Sequence, residues 1–338
     1  MILIGVLVVG VAGAGAWVGL RPLIASFSKP IDYAGPGSGS VSVAVPDGAT
    51  GQAIGALLQA DDVVLTVKGF VQAYNNNPAS GSIQPGTYRL KRQMASSDAV
   101  SALLVDANRL LDRVTVTEGT RAEKIPPLVA AKTKIPLADL QAAMKSPAAL
   151  GLPAEAKGDP EGWLFPATYD VQPNTTAAAV LHSMVAKTIA TLDAKGVPAA
   201  QREEILIKAS LVQAEAKNAV DFPKIARVLD NRLAKKMPLQ LDTTVHYATK
   251  KFTVATTIKD TQIKSPYNTY FVDGLPVGAI GNPGERAIEA VLAPTPGTWL
   301  YFVAVNPQTG LTKYATTTAE FAKIKAEYDN WAKAHPGQ

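Results

Sequence analysis

Between Ala209 and Ala248 the first carboxylate, Glu215, follows an apolar run and precedes a polar cluster of Asn231, Arg232, Gln240, Asp242, Thr243 and Thr244. Ile207, Leu211 and Glu215 fall on one i, i+4, i+8 stripe of a helix predicted over Gln201–Lys217. The acid therefore continues an apolar row and points inward or into a cleft. A carboxyl group flanked by apolar side chains has a raised pKa, because desolvation disfavours its charged form. Such a group can protonate a leaving oxygen near neutral pH and then accept a proton. Gln213 sits about 160° away around the same helix and does not share that view. The competing reading of Glu215 is a solvated glutamate at a helix end, beside Lys217.

The flanking residues carry the same two meanings. Arg232 either clamps an anionic or sugar-borne group or pairs with Asp230 on a helix surface. Asp242, Thr243 and Thr244 either line a groove or cap a helix. Ser265-Pro266-Tyr267-Asn268-Thr269-Tyr270 combines aromatic rings with hydrogen-bonding tips. Rings that stack on sugar faces beside amides that bind hydroxyls suit a glycan, and the same residues suit a plain Tyr-rich turn.

Composition narrows the chemistry. The 338 residues are 47% hydrophobic, enough to bury a core and to form more than one domain. Without cysteine there is no disulfide framework and no thiolate metal site. His182, His246 and His335 are in no zinc-ligand spacing, and no Gly-x-Ser-x-Gly elbow supports a serine nucleophile. The net charge of +5 comes without a dense Lys/Arg run, which suits an anionic surface or polymer and makes no case for nucleic acid.

Other segments must tether and position these groups. Ile2–Leu20 is uncharged and close to the ~20 residues that cross a bilayer as a helix. Its small residues Ala12–Ala16 keep a cleaved signal peptide open as the alternative. Lys29–Ser40 is Pro-, Gly- and Ser-rich and reads as a tether. A weak repeat follows: Val43-Ala44-Val45-Pro46-Asp47-Gly48 with Ile54, and Val114-Thr115-Val116-Thr117-Glu118-Gly119 with Ile125. Each copy predicts a strand, an acid-Gly turn and a short amphipathic helix. Gln84–Leu90 supplies a turn and strand to close the first. Further on, Pro223 marks a helix start, Trp299–Val305 a strand, and Thr318 to about Ala334 a last amphipathic helix.

Taken together, ordered motifs resemble the YceG-like (MltG) family of endolytic murein transglycosylases. They are Glu161-Gly162-Trp163-Leu164-Phe165-Pro166 with Thr168-Tyr169, Ala209-Ser210-Leu211-Val212 with Glu215, and Asn231-Arg232-Leu233. Met237-Pro238-Leu239-Gln240 with Asp242, Thr244, Val245 and Tyr247 continues the series. Ser265–Tyr270, Gly274-Leu275-Pro276, Asn282-Pro283-Gly284 and Leu300-Tyr301-Phe302-Val303 complete it. The resemblance spans roughly Val43–Ala332. It implies an α+β chain: a transmembrane anchor at 1–21, a flexible linker at 22–40, a LysM-like α+β domain at 41–108 and a mixed α/β catalytic domain at 109–338. A central helix of that last domain would carry the catalytic glutamate.

By the same resemblance Glu215 is the catalytic acid/base of a lytic transglycosylase acting on the MurNAc–GlcNAc bond. Gln240, Asp242, Thr244, Tyr267 and Asn268 are expected to line the glycan groove, with Glu161 and Arg232 in support. No metal or cofactor is implied. Peptidoglycan strands are the implied substrate, peptidoglycan synthases the neighbours, and the bacterial cell membrane the site, with the catalytic domain on the wall side. The family usually has an acid where this chain has Gln213, and another where it has Ala167. A silent peptidoglycan-binding scaffold and a lysozyme-like hydrolase stay open as other functions.

Overall fold

The computed structural model describes residues 31–250 and 256–335. The chain divides into two compact units between Asp112 and Arg113. The apolar run Ile2–Leu20, expected to anchor the chain, lies outside the described residues. Among the described residues no helix is long and apolar enough to cross a membrane. The fold is mixed α+β, with helices around three separate two-stranded sheets.

The first unit runs β1 (Ser38–Val45), α1 (Gly51–Ala60), α2 (Val67–Asn76), β2 (Gly86–Arg92) and α3 (Ser96–Leu104). Alternating Val43 and Val45 bury one face of β1, which pairs antiparallel with β2 in the register Val43 to Tyr88 and Val45 to Gly86. Thr50 and Thr66 start α1 and α2 by accepting the amides of Ala53 and Gly69, at 3.2 and 3.1 Å. Ile54, Leu58, Phe70, Tyr88, Val100 and Leu103 close the core of this unit.

The second unit opens on the same plan. Its β3 (Asp112–Thr115) leads to α4 (Ile125–Ala130), α5 (Leu137–Met144), β4 (Thr168–Val171) and α6 (Ala177–Ala194). Thr115 bonds Thr168 and Arg113 pairs with Asp170, so β3 and β4 run antiparallel. Val114, Ile125, Val129, Leu140, Leu181 and Met184 fill the space between strands and helices. The repeat seen at Val43 and Val114 is thus the start of two strand-helix-helix-strand-helix runs, the second with an added short helix at Pro147–Leu150. Each closing strand carries the same corner. Tyr88 donates to the Gln84 carbonyl and Tyr169 to the Phe165 carbonyl, both at 2.6 Å and both four residues back. The tetrapeptides around them, Pro85-Gly86-Thr87-Tyr88 and Pro166-Ala167-Thr168-Tyr169, are alike.

From there the unit becomes a helical cluster. It comprises α7 (Ala199–Glu215), α8 (Phe222–Ala234), α9 (Asp242–Ala248) and α10 (Glu285–Leu292). The hairpin of β5 (Tyr301–Asn306) and β6 (Leu311–Ala315) and the final α11 (Thr318–Ala334) complete it. Helix α7 is the hub, packed against α8, α9 and α10. Its buried residues Leu206, Ala209, Leu211 and Val212 share a core with Trp163, Ile225, Leu229 and Ile288. Pro223 fits the first turn of α8, where its missing amide has no intrahelical partner to lose. Thr317 and Glu320 form a capping box that starts α11.

The two tyrosine corners give a direct test of local stability. Removing either hydroxyl leaves a carbonyl without its partner, and Tyr88→Phe and Tyr169→Phe should each cost about 1–2 kcal/mol in urea unfolding. A loss below a few tenths in both would mean that the corners are incidental.

Candidate active site

Helix α7 stops at Glu215 because Ala216 turns to an extended conformation while its amide still bonds the Val212 carbonyl at 2.9 Å. The sequence predicted a helix reaching Lys217, so the acid is terminal rather than internal. The stripe that led to it is buried as expected, with Ile207 and Leu211 inside. Glu215 itself is partly buried and lines a cavity of about 600 Å3. Thr243 Oγ1, from the first turn of α9, donates to Glu215 Oε1 at 2.6 Å.

Burial pushes the Glu215 carboxyl above the ordinary carboxylate range. The Thr243 hydrogen bond opposes that, the Asp242 carboxylate adds to it, and Lys217 opposes it more weakly. The cavity has a polar wall of Arg121, Lys217, Asp242, Thr243 and His246. Facing it is a mostly apolar wall of Ile280, Phe302, Val303, Ala304, Pro307 and Tyr328. Asp242 is engaged from the side by the Tyr270 hydroxyl, at 2.7 Å. Among the described residues no three of His, Asp or Glu are placed to hold a metal ion.

Beside α7, the loops at 119–122 and 280–284 are held by two buried polar side chains. Asn282 accepts the Leu164 amide at 2.8 Å and donates to the Thr120 carbonyl at 2.8 Å. Its backbone closes the same contact, since the Gly119 amide reaches the Asn282 carbonyl at 2.7 Å. Glu161 is 6% exposed and accepts the Ala122 amide at 2.9 Å and the Tyr247 hydroxyl at 3.0 Å. The Asn282 amide reaches it as well, at 3.3 Å. Burial raises the Glu161 carboxyl to about 7, against the two hydrogen bonds from Ala122 and Tyr247. Glycine is required next to it: Gly162 has φ +85°, and a Cβ there would meet that of Ala279 at 2.7 Å.

Residues 43–327 of this chain match the YceG-like family. The chain belongs to that family. It is 32% identical over 308 residues to an endolytic murein transglycosylase of Bacillus subtilis, covering 86% of this chain and 85% of that protein. A second relative of the same name, from Streptococcus pneumoniae, is 30% identical over 329 residues, and this chain spans 58% of its length. Among solved structures, a YceG-like protein of Listeria monocytogenes superposes with a TM-score of 0.55 at 29% identity. That match covers 85% of this chain and 99% of the Listeria one.

The YceG-like motifs divide into residues at the Glu215 cavity and residues that frame it. Asp242 lines the cavity. Glu161 and Tyr267 line a second one of about 290 Å3, together with Glu123, Tyr247, Lys250 and Ser265, and Arg121 borders both. Thr244 is fully buried and donates to the Leu241 carbonyl at 2.6 Å, so it lies behind α9. Asn268 is also fully buried, with its amide on the carbonyls of Thr261 and Ile263, at 3.0 and 2.7 Å. Arg232 forms no pair with Asp230, which instead meets Lys208 at 3.3 Å. Its guanidinium holds the Leu300 carbonyl at 2.6 Å and the Leu239 carbonyl at 2.7 Å. Gln240 has φ +50°, donates its backbone amide to Thr269, and borders neither of these cavities. Gln213 accepts the Gly284 amide at 3.1 Å, on the far side of α7 from Thr243.

Sequence reasoning gave no site role to Arg121, His246, Phe302 or Tyr328, and it left Thr243 open between lining a groove and capping a helix. One signal was available. On a helix starting at Asp242, positions 242, 243 and 246 share a face once Val245 is taken as buried, which it is. Arg121 and the β5 wall come from distant segments and left no local pattern.

The Glu161 carboxyl makes stability pH-dependent. Its pKa is about 7 when folded and close to the ordinary 4.5 when unfolded, so the folded state binds the proton more tightly. That contribution is full below pH 4.5 and is lost as pH rises to about 7. Glu161→Gln should flatten this decline, which is on the order of 3 kcal/mol for such a shift. Chemical denaturation at several pH values measures it, and parallel profiles for the two proteins would rule the assignment out.

Proposed function

We propose that this chain is an endolytic murein transglycosylase with Glu215 as its single acid/base. The observation that carries the reading is the position of Glu215: a carboxyl with raised proton affinity at a helix end, hydrogen-bonded to Thr243 and open to a large cavity. The family and the names of its relatives supply the substrate class.

In the reaction, protonated Glu215 gives its proton to the oxygen between C1 of MurNAc and the adjoining GlcNAc. The C1–O bond breaks, and positive charge develops at C1. The 6-hydroxyl of the same MurNAc attacks C1, and its proton passes to the Glu215 carboxylate. The products are a strand ending in 1,6-anhydro-MurNAc and a strand beginning with free GlcNAc, and the enzyme returns to its starting protonation state. No second carboxylate is needed, because the nucleophile is internal to the substrate. Asp242 favours the runner-up: it is a second carboxylate on the same cavity, as a hydrolase working with water requires.

The N-terminal apolar run would hold the enzyme at the cell membrane, with the first unit as a LysM-like glycan-binding module. Peptidoglycan synthases, which make the nascent strands, fit as neighbours. In this arrangement cleavage ends the growth of a strand near the membrane.

Digestion of uncrosslinked glycan followed by mass spectrometry distinguishes the readings. Anhydro-MurNAc ends are expected. Reducing MurNAc ends would favour the hydrolase, and intact strands would leave a binding scaffold. Glu215→Gln should lower the rate by roughly 10²–10⁴-fold with little change in melting temperature, since the amide oxygen can still accept from Thr243. Thr243→Val removes a hydrogen bond that lowers the Glu215 pKa, so the alkaline limb of the rate profile should move to higher pH. An unmoved limb would separate Thr243 from the acid.

A further inference from the structure

Five of the twelve exposed large hydrophobic side chains among the described residues lie between Ile258 and Val277. Ile258 is 80% exposed, Val277 59% and Phe271 54%, with Ile263 and Tyr270 less so. None of Ile258, Ile263, Phe271 and Val277 borders the Glu215 cavity or the Glu161 cavity. A glycan groove does not account for them. Ile258, Ile263 and Val277 are aliphatic and offer sugars neither a stacking face nor a hydrogen bond, and Phe271, the one ring among the four, lines neither cavity.

The segment is folded on itself around one hub. The buried Asn268 amide holds the Thr261 and Ile263 carbonyls, at 3.0 and 2.7 Å. The Phe271 amide bonds the Asn268 carbonyl at 2.9 Å, and the Val277 amide bonds the Pro266 carbonyl at 3.2 Å. Ile263, Phe271 and Val277 are thereby gathered around residues 266–268, and Ile258 begins the short helix that ends at Thr261. The Asn268 side chain, expected to meet glycan, is used up in this scaffold.

Charge follows the apolar residues. Lys259 and Lys264 are exposed beside Ile258 and Ile263, and exposed Lys250 shares a cavity wall with Ser265 and Tyr267. Of the two acids between Thr256 and Val277, Asp260 is buried as the helix cap, bonding the Thr257 amide and hydroxyl, and Asp273 is exposed. Isolated surface hydrophobics need no explanation, but a concentrated group with exposed lysines beside it is the pattern of a surface that dips into the headgroup layer of an anionic bilayer.

We infer that residues 258–277 form a membrane-contact surface of the second unit, with Ile258, Phe271 and Val277 entering the interface and Lys259 and Lys264 meeting anionic lipid headgroups. This contact would be separate from any N-terminal anchor, and it does not rest on the cleavage chemistry of Glu215.

The chain has no cysteine, so single reporters can be placed on the full-length protein. Phe271→Cys and Val277→Cys, with Gln201→Cys at the start of α7 as the control, are labelled with an environment-sensitive dye. Each is reconstituted into phosphatidylcholine vesicles with or without phosphatidylglycerol and with nitroxide-bearing lipid as quencher. The expected result is blue-shifted, quenched emission at 271 and 277 in the anionic vesicles, and none at 201. Lys259→Gln with Lys264→Gln should reduce the quenched fraction several-fold. Unquenched dye at 271 and 277 overturns the inference. So does equal quenching at 201, or an equal response in vesicles without phosphatidylglycerol. Strand-cleavage assays read Glu215 separately, so failure of one assignment leaves the other standing.

Discussion

Two buried polar side chains, Glu161 and Asn282, hold together the parts of the second unit that surround Glu215. Between them they fix the backbone of Gly119–Ala122, the start of the Leu164 segment and the Tyr247 hydroxyl of α9. These pieces are distant in sequence and share no sheet. An unpaired polar group at such depth would cost several kcal/mol, so the frame is stable only with its bonds complete. That all-or-none character makes it a good positioning device: α9, which carries Thr243 and Asp242, cannot drift from the opposite loop without breaking it.

The second unit also holds two carboxyl groups in different settings. Glu161 and Glu215 are both raised by burial, but their surroundings differ. Glu161 borders the smaller cavity and receives hydrogen bonds from three segments, at Ala122, Tyr247 and Asn282. Glu215 has one side-chain hydrogen bond, from Thr243, and an open cavity beyond it. The exposed face is where a substrate oxygen can reach the proton. Gln213, where the family resemblance leads to the expectation of an acid, lies two residues earlier and bonds the Gly284 amide. An amide oxygen accepts that hydrogen bond as a carboxylate would, so the departure leaves the packing of α7 against the Asn282 segment intact.

Some of this was legible in the chain alone because the signals are periodic or local. Ile207, Leu211 and Glu215 recur at helical spacing, and the helix lies there, shortened to end at the acid. Val43 and Val114 alternate as strands do, each ahead of an acid-Gly turn, and both strands formed. The last helix occupies Thr318–Ala334 because its capping box and its apolar residues lie within one continuous stretch. Residue type also marked the important polar groups. Nearly all those singled out are buried or bonded, as a mainly apolar neighbourhood demands of Asn, Arg and Glu.

What residue type could not decide was which way each polar group points. Thr243 and Thr244 are neighbours of the same type; one faces Glu215 and the other the core, about 100° apart around α9. Arg232 and Asn268 have the chemistry to hold a sugar, yet their donors are taken by backbone carbonyls: nearby ones at Leu239, Thr261 and Ile263, and a distant one at Leu300. Arg121, Phe302 and Tyr328 reach the cavity from three separate segments. The sequence by itself determined the two repeated Val strands, the helix of the Glu215 stripe, the last helix and the acid that ends the stripe, because those follow from spacing along the chain. Only the tertiary structure decided which polar groups were left facing the cavity, because that depends on which backbone groups had already claimed the rest.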